Sequence, residues 1–262
     1  MRDLMAGSEG KAKGPLLIFE VVGPMAHFRK FYTNSSSLSY PVPPRTMLMG
    51  LIAALLGYER DGYYEELGSE RARIGVRLRS PVRTAIQTVN YLFTKNEGWD
   101  GSRGHTQIPL ELVLPRSPER FVRYRVYFAH VEPELVRKLH RQLVQREYRY
   151  PLYLGLTECP AWVENPRLHD PGTVDWVLDP HEPLPLGTVI PLPRIVELPP
   201  LERLVGRRLL KDRMPFDFTD TRRLQSVADV LWEAEGRPLL LRVRGEIFRL
   251  PDEDKYGVFL EL

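Results

Sequence analysis

The chain has 262 residues, a formal charge of +3 and a pI near 8.9, which allows one large domain or two small ones around a sizeable core. A charge balance this small does not identify a nucleic-acid binder. The single cysteine, Cys159, excludes an internal disulfide framework and a cysteine-rich zinc site, and so fits a reducing cytoplasm.

Met1 to Lys13 is polar with no apolar segment of its own, so no secretory signal is expected and residues 1–14 read as a loose terminus. Leu16 to Val22 is apolar, β-branched and aromatic and stops at Gly23-Pro24, as a buried strand ending in a turn does. The loop that follows sets His27, Arg29 and Lys30 among Phe28, Phe31, Tyr32 and Tyr40, with a polar Asn34-Ser35-Ser36-Ser37 cluster between them. Pro43-Pro44 then lead into an apolar run from Met47 to Leu56, with Pro44 or Arg45 opening a helix and Gly57 closing it. A helix apolar nearly all round belongs in a core. It is about half the roughly 20 residues a membrane span needs, so no membrane association is expected.

Tyr63 to Ala72 is a candidate short helix, and Arg73 to Thr84 alternates Ile74, Val76 and Leu78 with Arg73, Arg77 and Arg79. That pattern is a strand with one apolar and one basic face, the basic face being either solvated or available to a partner. Residues 86–114 read as a long hairpin whose tip is the Gly98 to Gly104 segment, carrying Lys95, Trp99, Arg103 and His105. Such an arm is either an ordinary surface loop or a source of cationic and stacking groups of the kind that bind single strands. Arg120 to Val131 alternates as a strand, Glu134 to Arg146 is amphipathic with Leu135, Val136, Leu139 and Leu143 on one side, and Leu152 to Leu156 is a further strand.

The order strand, helix, strand, hairpin, strand, helix, strand predicts an α+β, ferredoxin-like first domain over residues 15–160, with two helices on one face of an antiparallel sheet and an open face suited to RNA. Residues 161–262 read as a smaller, mainly β domain. Its strand-like runs are Val174 to Leu178, Val189 to Val196, Leu239 to Phe248 and Tyr256 to Leu260, with Asp220 to Ala234 the one helical stretch. Arg203, Arg207, Arg208, Lys211, Arg213, Arg222 and Arg223 cluster in its middle, as solvated charge or as a phosphate track. No phosphate-binding glycine loop, His-Glu-x-x-His pair or nucleophile elbow occurs, so no cofactor or metal is expected. Metal-independent RNA cleavage needs only a general base, an acid and a cation, and His27, Tyr32, Lys30 and His105 qualify by type.

The stretch from Val21 to Gly57 resembles the N-terminal signature of the Cas-five family, the CRISPR-associated RAMP subunit of type I Cascade. The matching residues are Gly23, Ala26, Phe28, Arg29, Tyr40, Pro43, Pro44, Gly50, Leu51, Leu56 and Gly57. A second match is Tyr153, Leu154, Gly155, Thr157 and Glu158, similar to the family's Tyr-Leu-Gly-x-Ser/Thr-Glu strand end. The resemblance covers the first domain, with the arm at residues 86–114 where the family inserts its thumb, and is most like type I-B.

The resemblance implies a non-catalytic subunit that caps the 5′ handle of CRISPR RNA, contacts the backbone and large subunits of Cascade, and meets target DNA only through the complex. The RNA-binding residues expected on this basis are Arg29, Lys30, Tyr32, Asn34, Ser35, Ser36, Tyr40, Arg45 and Thr46 in the first stretch. Gln87, Asn90, Lys95, Trp99, Arg103, His105 and Gln107 are expected on the arm. One branch of the family, type I-C, cuts precursor RNA with Tyr, Lys and His. Here the arm has no Lys-His pair, since Gly104 precedes His105, and binding is favoured over cutting. A protein-interaction scaffold without RNA contact is the third reading.

Overall fold

The computed structural model describes residues 14–34, 36–93 and 98–262. In chain order the first half contains β1 (Leu16–Gly23), β2 (Phe28–Arg29), β3 (Ser39–Tyr40), α1 (Arg45–Leu56), β4 (Ala72–Leu78), β5 (Val82–Leu92), β6 (His105–Pro115), β7 (Val122–His130), α2 (Pro133–Gln145), β8 (Leu152–Tyr153) and β9 (Pro160–His169). The second half is β10 (Asp175–Leu178), β11 (Leu184–Leu186), β12 (Ile190–Pro191), β13 (Ile195–Glu197), β14 (Leu209–Phe218), β15 (Leu224–Glu233), β16 (Leu239–Val243), β17 (Glu246–Arg249) and β18 (Tyr256–Gly257).

The first sheet has the order β4-β7-β1-β9-β8. Register puts Leu17, Phe19 and Val21 of β1 opposite Phe128, Val126 and Tyr124 of β7, which in turn face Ile74, Val76 and Leu78 of β4. Because side chains alternate along a strand, these nine residues share one face, and all are buried. The two helices cover it. In α1, Leu48, Met49, Leu51, Ile52, Leu55 and Leu56 are buried, each contributing about 1.5–3 kcal/mol relative to exposure. Gly57 ends the helix at φ 81, donating its N–H to the Ala54 carbonyl, a conformation that glycine adopts without Cβ strain. In α2 the three- and four-residue spacing of Val136, Leu139 and Leu143 turns one buried stripe toward the sheet.

The other face of that sheet is covered by a six-stranded sheet of order β10-β17-β18-β11-β16-β13. Leu16, Ile18, Tyr127 and Ala129 pack there with Val174, Phe248, Leu250 and Phe259. The ring centroids of Tyr127 and Phe248 are 5.0 Å apart. The expected open face therefore does not exist over this area. Nor is the basic side of β4 solvated: Arg73 pairs with Glu246 at 2.5 Å and Glu261 at 2.9 Å and lies 4.3 Å from the Phe259 ring centre, and Arg77 pairs with Glu253 at 3.2 Å. Leu260 N–H donates to Ile74 O at 2.7 Å and Val189 N–H to Val76 O at 2.8 Å, so the outer margin of β4 is hydrogen-bonded as well.

A third sheet, β12-β15-β14, packs Met214, Phe216, Ala228, Val230 and Trp232 into the core that holds α1. The stretch expected to be helical, Asp220 to Ala234, is instead mostly β15. Its Ala228, Val230 and Trp232 face inward at a spacing of two, and pairing with β14 satisfies the backbone, so tertiary contact decides between two readings of an apolar run. Tyr63 to Ala72 forms turns, with Leu67 N–H bonded to Tyr63 O and Ala72 N–H to Gly68 O, and no helix.

Arg45 ties the layers together. It is fully buried, and its guanidinium donates to Asp217 at 2.5 Å, to the carbonyls of Phe216, Leu67 and Ala72 at 3.0, 3.2 and 2.8 Å, and to Met49 Sδ at 2.9 Å. Removing one partner of a buried pair strands the other charge. Asp217→Ala is expected to destabilise the chain by about 3–5 kcal/mol in urea unfolding, whereas removing the exposed pair Arg149–Glu59 should cost under about 1 kcal/mol.

Candidate functional site

The segment between β1 and α1 is held along its length. Ala26 exchanges both backbone hydrogen bonds with Val113 of β6, at 2.9 and 2.8 Å, and Phe28 and Arg29 pair with Tyr40 and Ser39. Ser37 N–H donates to Pro109 O at 3.0 Å while Glu111 N–H donates to Ser37 O at 2.9 Å, which docks the loop against the base of the β5-β6 hairpin. On the opposite side His27 N–H donates to Leu154 O at 2.9 Å. There Gly155 sits at φ 93, and a Cβ on it would lie 1.8 Å from His27 O, so no other residue fits.

A carboxylate from β14 completes the clamp. Asp212 accepts from Lys30 Nζ at 2.7 Å and from Tyr32 OH at 2.7 Å, and Tyr40 OH donates to Arg213 O at 2.5 Å. Burial opposes the charge on Lys30, but the hydrogen bond and charge of Asp212 outweigh it and raise its pKa above the ordinary lysine value. Burial, followed by the same carboxylate, raises the pKa of Tyr32 and Tyr40.

His27 is buried inside this clamp. Its Nδ1 lies 2.7 Å from the Glu111 carbonyl oxygen, and its Nε2 lies 2.9 Å from Ser37 Oγ. A carbonyl only accepts, so this network assigns the ring proton to Nδ1 and leaves Nε2 to accept the Ser37 hydroxyl proton. Burial lowers the His27 pKa, with the Glu111 carbonyl pulling it up and the nearby Arg29 charge pushing it down.

Between the loop, the exposed side of α1, the hairpin base and the turns after each helix lies a groove of about 1290 Å3. His27, Arg29, Asn34, Ser36 and Ser37 line it from the loop, Thr46, Met47 and Gly50 from α1, and Tyr91, Ile108 and Leu110 from the hairpin. Tyr58, Tyr63, Tyr150 and Tyr153 add an aromatic wall, and Phe218 of β14 and Arg222 line the groove as well. Among the described residues no carboxylate pairs with Arg29, which is exposed. A polar floor, one unpaired guanidinium and several aromatic faces can hold a chain that carries both anionic and planar groups.

The structure brings Arg29, Asn34, Ser36 and Thr46 of the predicted residues together in this groove and does not bring the others there. Arg45 and Tyr40 are fully buried and tied to internal acceptors, and Lys30 and Tyr32 are committed to Asp212. On the hairpin, Val82–Leu92 pairs with His105–Pro115. Gln87, Asn90, Trp99, Arg103, His105 and Gln107 are all exposed, Asn90 directly opposite Gln107, and none of them lines the groove. Ser35 and Lys95 lie outside the described residues. The tyrosine wall was missed, although its signal is present: Tyr58, Tyr63 and Tyr64 follow α1, and Tyr148, Tyr150 and Tyr153 follow α2, in polar surroundings. Among the described residues no group of three or more His, Cys, Asp or Glu is arranged to hold a metal, and no helix is long and apolar enough to cross a membrane.

Two helices on one face of an antiparallel sheet, two further sheets and a projecting hairpin make this a mixed α/β protein built mostly of strands. That class is shared with a CRISPR protein from Archaeoglobus fulgidus, whose crystal structure superposes with a TM-score of 0.53 at 12% identity, over 93% of this chain and 99% of that one. A chain of a CRISPR RNA-guided surveillance complex superposes at 0.45 with 17% identity over 85% and 91%. One from a Type III-B Cmr-beta complex bound to cognate target RNA and AMPPnP does so at 0.48 with 9% identity over 93% and 99%. No curated protein matches the sequence. Residues 16–192 match the family of CRISPR-associated proteins (Cas_Cas5), and the chain belongs to that family.

The lowered His27 pKa has a measurable sign. As pH falls the unfolded chain takes up this proton first, at its ordinary value of 6.5, so the contribution to stability is complete above that value and is lost as pH falls through it. Urea midpoints at about pH 7.5 and about pH 5.5 should differ less for His27→Gln than for the unaltered chain. Equal differences would show that His27 does not titrate in this range.

Proposed function

We propose that this chain is a subunit of a CRISPR effector complex that binds and caps the 5′ handle of CRISPR RNA, with the groove beside the β1–α1 loop as its RNA site. The observation that carries the reading is the exposed Arg29, without a carboxylate partner among the described residues, in a groove also lined by Tyr58, Tyr63, Tyr150 and Tyr153. Arg29 supplies a phosphate partner, and the tyrosine faces supply stacking for unpaired bases, each worth about 1–3 kcal/mol in single-strand binders. Family membership supports a CRISPR role.

The first sheet supports the ferredoxin-like reading, because β1, α1, β4, β7, α2 and β9 follow one another in the required order and lie as β4-β7-β1-β9. The hairpin β5-β6 is then the inserted thumb, whose exposed Asn90, Trp99, Arg103, His105 and Gln107 reach toward spacer nucleotides beside the backbone subunit. The expected boundary at residue 160 would cut β9 from this sheet, so we place it after His169, with a mainly β domain beyond it that also faces the large subunit and with target DNA met through the complex. Cytoplasmic location and a type I-B subtype complete the proposal, both on the family resemblance.

Binding is favoured over cutting because the loop groups that metal-free cleavage would use are held in internal contacts and His105 lies apart from them. Lys30 and Tyr32 share Asp212, His27 is engaged by Ser37 and Glu111, and His105 stands five residues along β6 from Leu110, about 17 Å up the hairpin. The deciding test is incubation with end-labelled CRISPR repeat RNA in EDTA, reading gel shift and cleavage from the same samples. We expect a shift without a cut, and a specific metal-free cut would assign the chain to an endoribonuclease role instead. Arg29→Ala should weaken binding and lower the slope of log affinity against log salt by about 0.7, the value for one phosphate on a single strand. An unchanged slope, with the fold intact, would remove Arg29 from the site.

A further inference from the structure

We propose that Ser37 is a fixed hydrogen-bond acceptor that recognises a donor on the strand in the groove, a ribose 2′-hydroxyl or a base N–H, with His27 as its positioning residue. This rests on the RNA reading of the groove. A serine hydroxyl ordinarily rotates to donate or accept as its partner requires. Here the choice is removed by a chain of bonds that begins at a backbone carbonyl. Glu111 O accepts a hydrogen bond from Nδ1–H of His27, Nε2 is left with a lone pair, and the Ser37 hydroxyl donates its one proton in a hydrogen bond to it. Among the described residues no donor is bonded to Ser37 Oγ, so both its lone pairs remain, and Ser37 and His27 both line the groove.

The platform beneath the hydroxyl is also fixed. The Ser37 amide and carbonyl are both bonded to β6, through Pro109 O and Glu111 N–H, and the His27 amide is bonded to Leu154 O, where only Gly155 leaves room. The acceptor is therefore oriented before any ligand arrives, which avoids the ordering cost that a mobile side chain carries. An acceptor cannot bind a phosphate oxygen, which also only accepts. The groove thus has two complementary functions: Arg29 serves the anionic backbone, and Ser37 serves the sugar or base. A DNA strand lacks the 2′-hydroxyl, so the first of the two donors would make Ser37 a discriminator of RNA from DNA.

The test uses the full chain and an all-ribose CRISPR repeat oligonucleotide, compared with two series of the same strand. In one series a single 2′-deoxynucleotide is placed at each position in turn. In the other a single base is replaced by an analogue lacking one N–H donor. One replacement, in one series, is expected to weaken binding about three- to tenfold, the size of one neutral hydrogen bond. The series in which it occurs identifies the donor. In Ser37→Ala that replacement should cost nothing further, and Ser37→Thr, which keeps a hydroxyl, should retain the effect. His27→Gln should shrink the effect at that position while leaving the salt slope set by Arg29 unchanged, which a general loosening of the loop would not do. Uniform affinity across both series in the unaltered chain, or a positional effect that persists in Ser37→Ala, would overturn the proposal, and the first of these requires no variant to fold. Failure to bind the all-ribose strand at all would overturn the RNA reading itself, a separable result.

Discussion

The buried guanidinium of Arg45 holds this architecture in place. Arg45 opens α1, and yet its guanidinium lies in the core, surrounded by Asp217 and the Phe216 carbonyl of β14 and by the carbonyls of Leu67 and Ala72 at the entry to β4. Placing a charge there carries a desolvation cost of several kcal/mol, which is offset only if its donors are matched in geometry. Burial lowers the Arg45 pKa while Asp217 and then Glu261 act against that shift. The planar fork of arginine reaches acceptors in several directions at once, which the point charge of lysine cannot reproduce. One residue therefore sets where α1 starts, where the turn before β4 lies, and how close the third sheet comes.

Because α1 and β1 are both fixed, the loop between them has anchored ends, and its middle is held as well. Val113 and Pro109 grip it from the hairpin, Leu154 from the turn beyond α2, and Asp212 from β14. These holds come from three separate parts of the chain, so the groove wall they create is set by the whole fold. Loops ordered in this way lose little freedom on binding. Of the three cations expected to bind RNA in this stretch, Lys30 and Arg45 are engaged in this order, and Arg29 faces solvent.

The elements whose signal is local were readable in advance. β1 and its closing turn, α1 with its glycine cap, the stripe on α2 and the long hairpin all follow from periodicity and from turn residues. What was not legible depends on partners far away in the chain. The alternation of Arg73 and Arg77 with Ile74 and Val76 is the same whether the arginines meet water or the carboxylates of Glu246, Glu261 and Glu253, more than 170 residues later. Likewise the run around Val227 to Glu233 suits a helix until β14 offers it a ladder. In the candidate site, the residue types of the loop were visible but their commitments were not, since Tyr40, Lys30 and Tyr32 look alike until Asp212 and Arg213 are placed beside them.

The margin of β4 leads to a further consequence. Strand margins with free carbonyls are templates for pairing with another chain, and proteins commonly blunt them with charge, proline or a covering segment. Here Ile74 and Val76 already accept from Leu260 and Val189 of the same molecule. Recruitment by added strands is therefore closed at this side. The same cover guards this margin against pairing with a second copy of the chain.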